Sequence, residues 1–185
     1  MKHLPIIVLL TVIAAWACSN NDDQDTWKEY TQWREDNLEW IASRQAMTNP
    51  DGTPYYTMVV PDWNPGSYVL IHWFNNRNET RDNLSPLYTS TVKVRYRLHL
   101  YNDVPVDSSD NLTSYGAPGI YECQINKMIQ GWGAALPEMH CGDTVEMIVP
   151  YQMAYGSQSS GIMPPYSVLR FNVRLEEVTH YQTAP

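Results

Sequence analysis

The stretch TVKVRYRLHLY, residues 91–101, narrows the fold more than any other. Val92, Val94, Tyr96, Leu98 and Leu100 fall on one side of an extended chain, and Lys93, Arg95, Arg97 and His99 on the other. Successive side chains of a strand point to opposite faces, so the alternation predicts a half-buried strand with its apolar face on a core. A chain holding such a strand builds a sheet covered on that side.

Further strands are predicted at YYTMVV, SYVLIHWF, GIYECQI, DTVEMIVP and SVLRFNVRLEEV, with a short helix at GWGAALPEM. One short helix within a mostly antiparallel sheet makes an α+β domain, placed at residues 54–180. Ahead of it, residues 26–47 predict a long helix, part of an N-terminal helical extension over 26–50. Thr26 and Glu29 have capping-box spacing, and Trp27, Tyr30, Trp33 (or Arg34), Leu38 and Ile41 recur near helical spacing. Pro50, Gly52 and Pro54 then stop it. A tryptophan stripe of this kind reads as packing, against the following domain or a partner.

The ring chemistry is uneven: seven Trp and thirteen Tyr against two Phe. Such amphipathic rings are favoured where apolar surface meets water or a ligand. A net charge of −8 without a basic stripe excludes nucleic acid as the expected partner. His3, His72, His99, His140 and His180 lack metal-ligand spacing, and neither a Gly-x-Ser-x-Gly elbow nor a phosphate-binding glycine loop occurs. No metal or cofactor is expected, and catalysis would work by shape, desolvation and hydrogen bonds.

Lys2 and His3 followed by LPIIVLLTVIAAWA read as an export signal over residues 1–17. The run stops at Cys18, and the whole resembles a bacterial lipoprotein signal, with Trp16 departing from its usual small-residue pattern. The resemblance implies lipidation at Cys18, a membrane anchor and an outer-membrane location, facing the periplasm or the surface. Residues 18–25 read as an acidic tether. Cys123 and Cys141 read as either a disulfide pair or two buried thiols, the second being preferred.

Four segments then carry a resemblance: VRYRLHLYNDVPVDSS, KMIQGWGAALPEMHCGD, MIVPYQMAYG and GIMPPYSVLRFNVRLEEV, in this order. Together they resemble the FKBP-type peptidyl-prolyl isomerases over residues 90–178, leaving about 67–87 as an inserted strand and loop. The family fold implied is a twisted antiparallel sheet wrapped around one short helix, with an aromatic cup between them. The resemblance implies catalytic roles for Tyr96 on a wall, Asp107 at the rim, the Ile129 N–H, Trp132 as floor and Tyr155 from the loop AYGSQSSGIMPP. It implies a substrate-binding lining from Val106, Tyr121, Met128, Met163 and Phe171. Proline-containing polypeptides are the implied substrates, and a macrolide-type ligand fits the same family.

Several positions depart from the family pattern. Leu98 and Asp103 stand where glycines are usual, Val106 stands for Phe, the flap is short, and Met128 and Met163 replace branched residues. The expectation is an isomerase of weak to moderate activity that assists exported proteins. The alternative is a non-catalytic module of the same fold holding a protein or glycan at the envelope, favoured by Leu98, Val106 and the inserted segment.

Overall fold

The computed structural model describes residues 21–114 and 117–181. Two helices, α1 (Asn21–Glu29) and α2 (Thr31–Gln45), precede strands β1 (Thr57–Val59), β2 (Val69–Trp73), β3 (Thr91–Leu100) and β4 (Pro105–Ser108). Short strands β5 (Thr113–Ser114) and β6 (Ala117–Pro118) follow, then β7 (Tyr121–Gln124), helix α3 (Gln130–Ala135), β8 (Thr144–Val149) and β9 (Leu169–His180). The main sheet has seven strands in the order β1-β2-β8-β9-β3-β4, with β7 also on β3. All its pairings are antiparallel.

Strand β3 organises this sheet. It pairs along its whole length with β9, while β7 takes its first half and β4 its last on the other edge. Val92, Val94, Leu98 and Leu100 are buried, as the alternation requires. On the opposite face Lys93 and Arg95 pair with Glu177 and Glu176, both at 2.8 Å, and Arg97 with Asp110 at 3.0 Å.

The front face of the sheet carries α3. Gly131 and Gly133 let this helix approach closely: a Cβ at Gly131 would collide with Val149, and one at Gly133 would lie 2.7 Å from the Tyr88 ring. Trp132 between them is 1% exposed. The back face carries α2, whose Ile41 packs with Tyr56, Leu70, Ile148 and Val168 in a second, smaller core. Strand β2 is therefore covered on both sides, and Val69, Leu70 and Ile71 are all buried.

The structure adjusts the reading of the segments around the sheet. The residues read as an inserted strand and loop supply β2, which lies between β1 and β8 in the sheet. The N-terminal helix is two helices broken at Tyr30; the first begins at Asn21, so Thr26 is no helix start and part of the supposed tether is helical. The buried face of α2 is Arg34, Asn37 and Ile41, while Trp27 and Leu38 are exposed. Arg34 lays its guanidinium 3.4 Å from the centroid of the Trp27 ring and donates from Nη1 to the Trp27 carbonyl at 2.7 Å. Cys18 and the apolar run before it lie outside the described residues.

Candidate active site

On the α3 side of the sheet, rings from four elements nest edge to face. Trp132 of α3 meets Phe171 of β9 at 5.5 Å and Tyr96 of β3 at 5.6 Å between centroids. Tyr121 of β7 lies 5.6 Å from Tyr96 and 6.4 Å from Trp132. Edge-to-face contacts of this kind satisfy the ring quadrupoles and contribute about 0.5–1.5 kcal/mol each beyond their buried area. Trp132 and Phe171 form the base, and the half-buried Tyr96 and Tyr121 stand above it. The buried Trp132 Nε1–H has no acceptor among the described residues.

The rim is polar. The Tyr96 hydroxyl donates to Asp107 Oδ2 at 2.6 Å, and Asp107 Oδ1 accepts the Ser108 N–H at 2.8 Å. Burial, reinforced by the Asp107 carboxylate, pushes the Tyr96 phenol well above its ordinary pKa, so it stays a neutral donor. Burial likewise raises the Tyr121 phenol, helped by Cys123, Asp107 and Tyr155. The Tyr121 hydroxyl donates to Met128 Sδ at 3.7 Å. Ile129 is the residue that enters α3, and its N–H meets no acceptor among the described residues.

Tyr155 stands on the loop after the turn Tyr151–Met153 and is 42% exposed. Tyr155 is a minor contributor, after burial, to the raised pKa of both Tyr96 and Tyr121. Gly156 follows at φ 61°, and the loop tip closes through paired backbone bonds between Ser160 and Met163 at 3.1 and 2.9 Å. Met163 is buried in the main core, against which Val106 and Ile129 also pack. Tyr96, Val106, Tyr121, Met128, Ile129, Trp132, Met163 and Phe171 thus lie in or against one core, Asp107 joins them through the Tyr96 hydroxyl, and Tyr155 stands apart on the exposed flap. Val106 and Asp107 also edge a cavity of about 560 Å³ with Arg97, His99 and Asp110, which lacks the aromatic floor.

The departures from the family pattern have local explanations. Leu98 is buried in the core, in register with Asp107 on one side and Phe171 on the other. Asp103 takes φ 66°, a left-handed conformation that Asp tolerates better than most residues, and its Oδ1 meets Arg170 Nη2 at 2.6 Å. With Leu98 in the core and β2 in the sheet, two of the three features favouring a non-catalytic module are features of the fold.

One residue of the site is invisible to sequence reasoning. Ser109 is fully buried; its Oγ accepts the Tyr96 N–H at 3.0 Å, and its own N–H donates to the Tyr96 carbonyl at 3.0 Å. These bonds fix the backbone of the wall tyrosine. Within the run DSSD nothing marks one serine from the other.

An antiparallel sheet folded over a short helix, with an aromatic cup bounded by a polar rim, is the architecture that the sequence resemblance implies. The family model described as FKBP-type peptidyl-prolyl cis-trans isomerase matches residues 85–176. FK506-binding protein 1 of Kluyveromyces lactis is 32% identical over 90 residues, covering 47% of this chain and 75% of that protein. The chain belongs to the FKBP-type peptidyl-prolyl cis-trans isomerase family. The FKBP-type 22 kDa peptidyl-prolyl cis-trans isomerase of Escherichia coli is 36% identical over 94 residues, covering 50% of this chain and 43% of that one. The macrophage infectivity potentiator of Trypanosoma cruzi is 35% identical over 92 residues, covering 49% of this chain and 44% of that one. The chain therefore spans under half the length of these two relatives. In fold it is similar to a peptidyl-prolyl cis-trans isomerase from Pseudomonas syringae, with TM-score 0.62, 20% identity, and coverage of 80% of this chain and 95% of that one.

Proposed function

We propose that this protein catalyses cis–trans isomerisation of X-Pro bonds in the aromatic cup. The observation that carries the reading is the nest of Trp132, Phe171, Tyr96 and Tyr121 beneath the Tyr96–Asp107 rim bond. An amide bond resists rotation by roughly 18–20 kcal/mol because rotation destroys resonance, while X-Pro isomers differ by only about 0.5–1 kcal/mol. A catalyst thus needs to favour the twisted amide alone. A water-poor cup does so by holding the proline ring on Trp132 and withdrawing solvent from a carbonyl whose charge separation water favours. The Ile129 N–H and the Tyr155 hydroxyl are the donors assigned to that carbonyl, and their fixed placement supplies the electrostatic part. Asp107 holds the Tyr96 ring at the wall. No proton moves and no covalent bond forms.

Proline-containing segments of exported polypeptides are the substrates this reading assigns, and the apolar run ending at Cys18 supports a lipid-anchored location at the cell envelope. The same cup suits a macrolide ligand, a class for which the Kluyveromyces lactis relative is named. The test is a protease-free isomerisation assay on an X-Pro peptide with an apolar residue before proline. Acceleration that is lost in the Tyr155→Phe, Asp107→Val double variant supports the assignment. A folded protein that never accelerates the exchange defeats it. Fatty-acid labelling that disappears in Cys18→Ala would establish the anchor; labelling that persists would refute it.

A further inference from the structure

Helices α1 and α2 lie on the opposite side of the sheet from the cup, yet they grip both segments that form its rims. On one side the grip is Tyr101, in the turn that leads from β3 to β4 and Asp107. Its ring lies 5.1 Å from Trp33 and 6.5 Å from Trp40, and its hydroxyl donates to Asp36 Oδ2 at 3.3 Å. On the other side the grip is the segment leaving the Tyr155 loop. The Val168 N–H donates to Asn37 Oδ1 at 2.7 Å, Trp33 Nε1 donates to Ser167 Oγ at 3.2 Å, and Ser167 Oγ donates to the Pro164 carbonyl at 2.7 Å. Asn37 is fully buried, and its Nδ2 donates to the Trp33 carbonyl at 2.7 Å, so both ends of the amide are used.

Tyr166 transmits the grip to the flap. It is buried at φ 60°, a conformation unfavourable for a bulky L-residue and held only where surroundings over-determine it. Its ring sits edge-on to Trp27 at 5.3 Å and to Tyr151 at 5.4 Å. Its N–H donates to the carbonyl of Gly156, next to Tyr155, at 2.9 Å, and the Gly156 N–H donates to the Tyr151 carbonyl at 2.9 Å. A continuous set of bonds therefore runs from α2 through Val168 and Tyr166 to the residue beside the flap tyrosine.

We propose that the N-terminal helices are the positioning element of the isomerase site, with Asn37 and Trp33 as positioning residues that hold the Tyr155 hydroxyl over the cup. This rests on the isomerase reading above. A donor contributes to catalysis only when it is already in place as the amide twists, so loosening the flap should lower turnover rather than substrate binding.

The experiment uses the full chain, with Trp33→Phe and Asn37→Ala made in the native and Tyr155→Phe backgrounds. Trp33→Phe keeps a ring against Tyr101 while removing the indole donor to Ser167. In the native background each is expected to lower kcat about 3–10-fold with KM little changed, as displacement of one preorganised donor would. In the Tyr155→Phe background the same substitutions should cost almost nothing further. Equal losses in both backgrounds, or no loss in the native one, would overturn the positioning role. Amide exchange at Gly156 and Tyr166 reads the brace without catalysis: faster exchange in either variant, with β3 amides unchanged, supports it, and unchanged exchange defeats it. If Tyr155→Phe leaves the rate untouched while the exchange responds, the brace stands and the catalytic assignment of Tyr155 falls.

Discussion

Two helices sit on the two faces of one sheet, and different forces hold them. On the front, α3 is fixed by shape: glycines at 131 and 133 bring its backbone down onto Val149 and Tyr88, and Trp132 fills the space between. On the back, α2 buries an asparagine and an arginine as well as Ile41, and is fixed by directed bonds to Val168, Ser167 and Tyr101. Close packing defines a rigid floor, whereas a few buried hydrogen bonds specify a direction and register. The cup has its floor from the first and the attachment of its flap from the second.

The comparison breaks first at Trp132. Trp132→Ala removes the largest fully buried side chain and should cost about 3–5 kcal/mol in urea unfolding, abolishing isomerisation with it. A loss under about 1 kcal/mol would show that the front core collapses around the gap, contrary to the close packing described. Asn37→Ala comes next. It strips the Val168 N–H of its partner and should cost about 1–3 kcal/mol, measured in the same way.

The smallest effect sharpens the contrast by pH. Asn75 Oδ1 accepts the Thr144 N–H at 2.9 Å, and Asn75 in turn donates to the buried Asp143 at 2.9 Å. Burial pushes the Asp143 carboxyl up, but the His140 N–H, Thr80, Asn75 and Arg77 together hold it below its ordinary value. A depressed carboxyl stabilises the fold above its unfolded pKa of about 3.9, and that contribution is lost as pH falls through the lower folded value. Hydrogen-exchange protection at Thr144, corrected for intrinsic rate, should therefore fall below about pH 4, while that at Val168, bonded to an asparagine that cannot titrate, should not. Parallel loss at both amides would mean that acid loosens the whole sheet together.

Front and back also differ in how far the sequence discloses them. The alternation around Tyr96 is legible because it records burial of apolar groups at a regular period, and the Ile-Gln-Gly-Trp entry to α3 because it resembles the family's motif. Hydrophobic spacing reads the N-terminal helices only in part: it finds the buried Ile41, but also selects Trp27 of α1 and Leu38 of α2, which are 45% and 43% exposed, and passes over Asn37. A buried polar residue shows no periodicity; its partner, here Val168, lies 131 positions away. Strand β2 was legible as a strand, and its three successive buried positions show it covered on both faces. The left-handed Tyr166 leaves no trace, since glycine is the residue that ordinarily signals positive φ.

Cys123 in β7 pairs across the sheet with Val92, and no disulfide joins it to Cys141. Burial, with a contribution from Glu122, pushes its thiol pKa up to about 12. At neutral pH such a thiol is almost entirely protonated, and only the thiolate attacks a disulfide. Once folded, the strand that carries Tyr121 therefore offers little thiolate to oxidants, and its attachment to the cup rests on packing and hydrogen bonds.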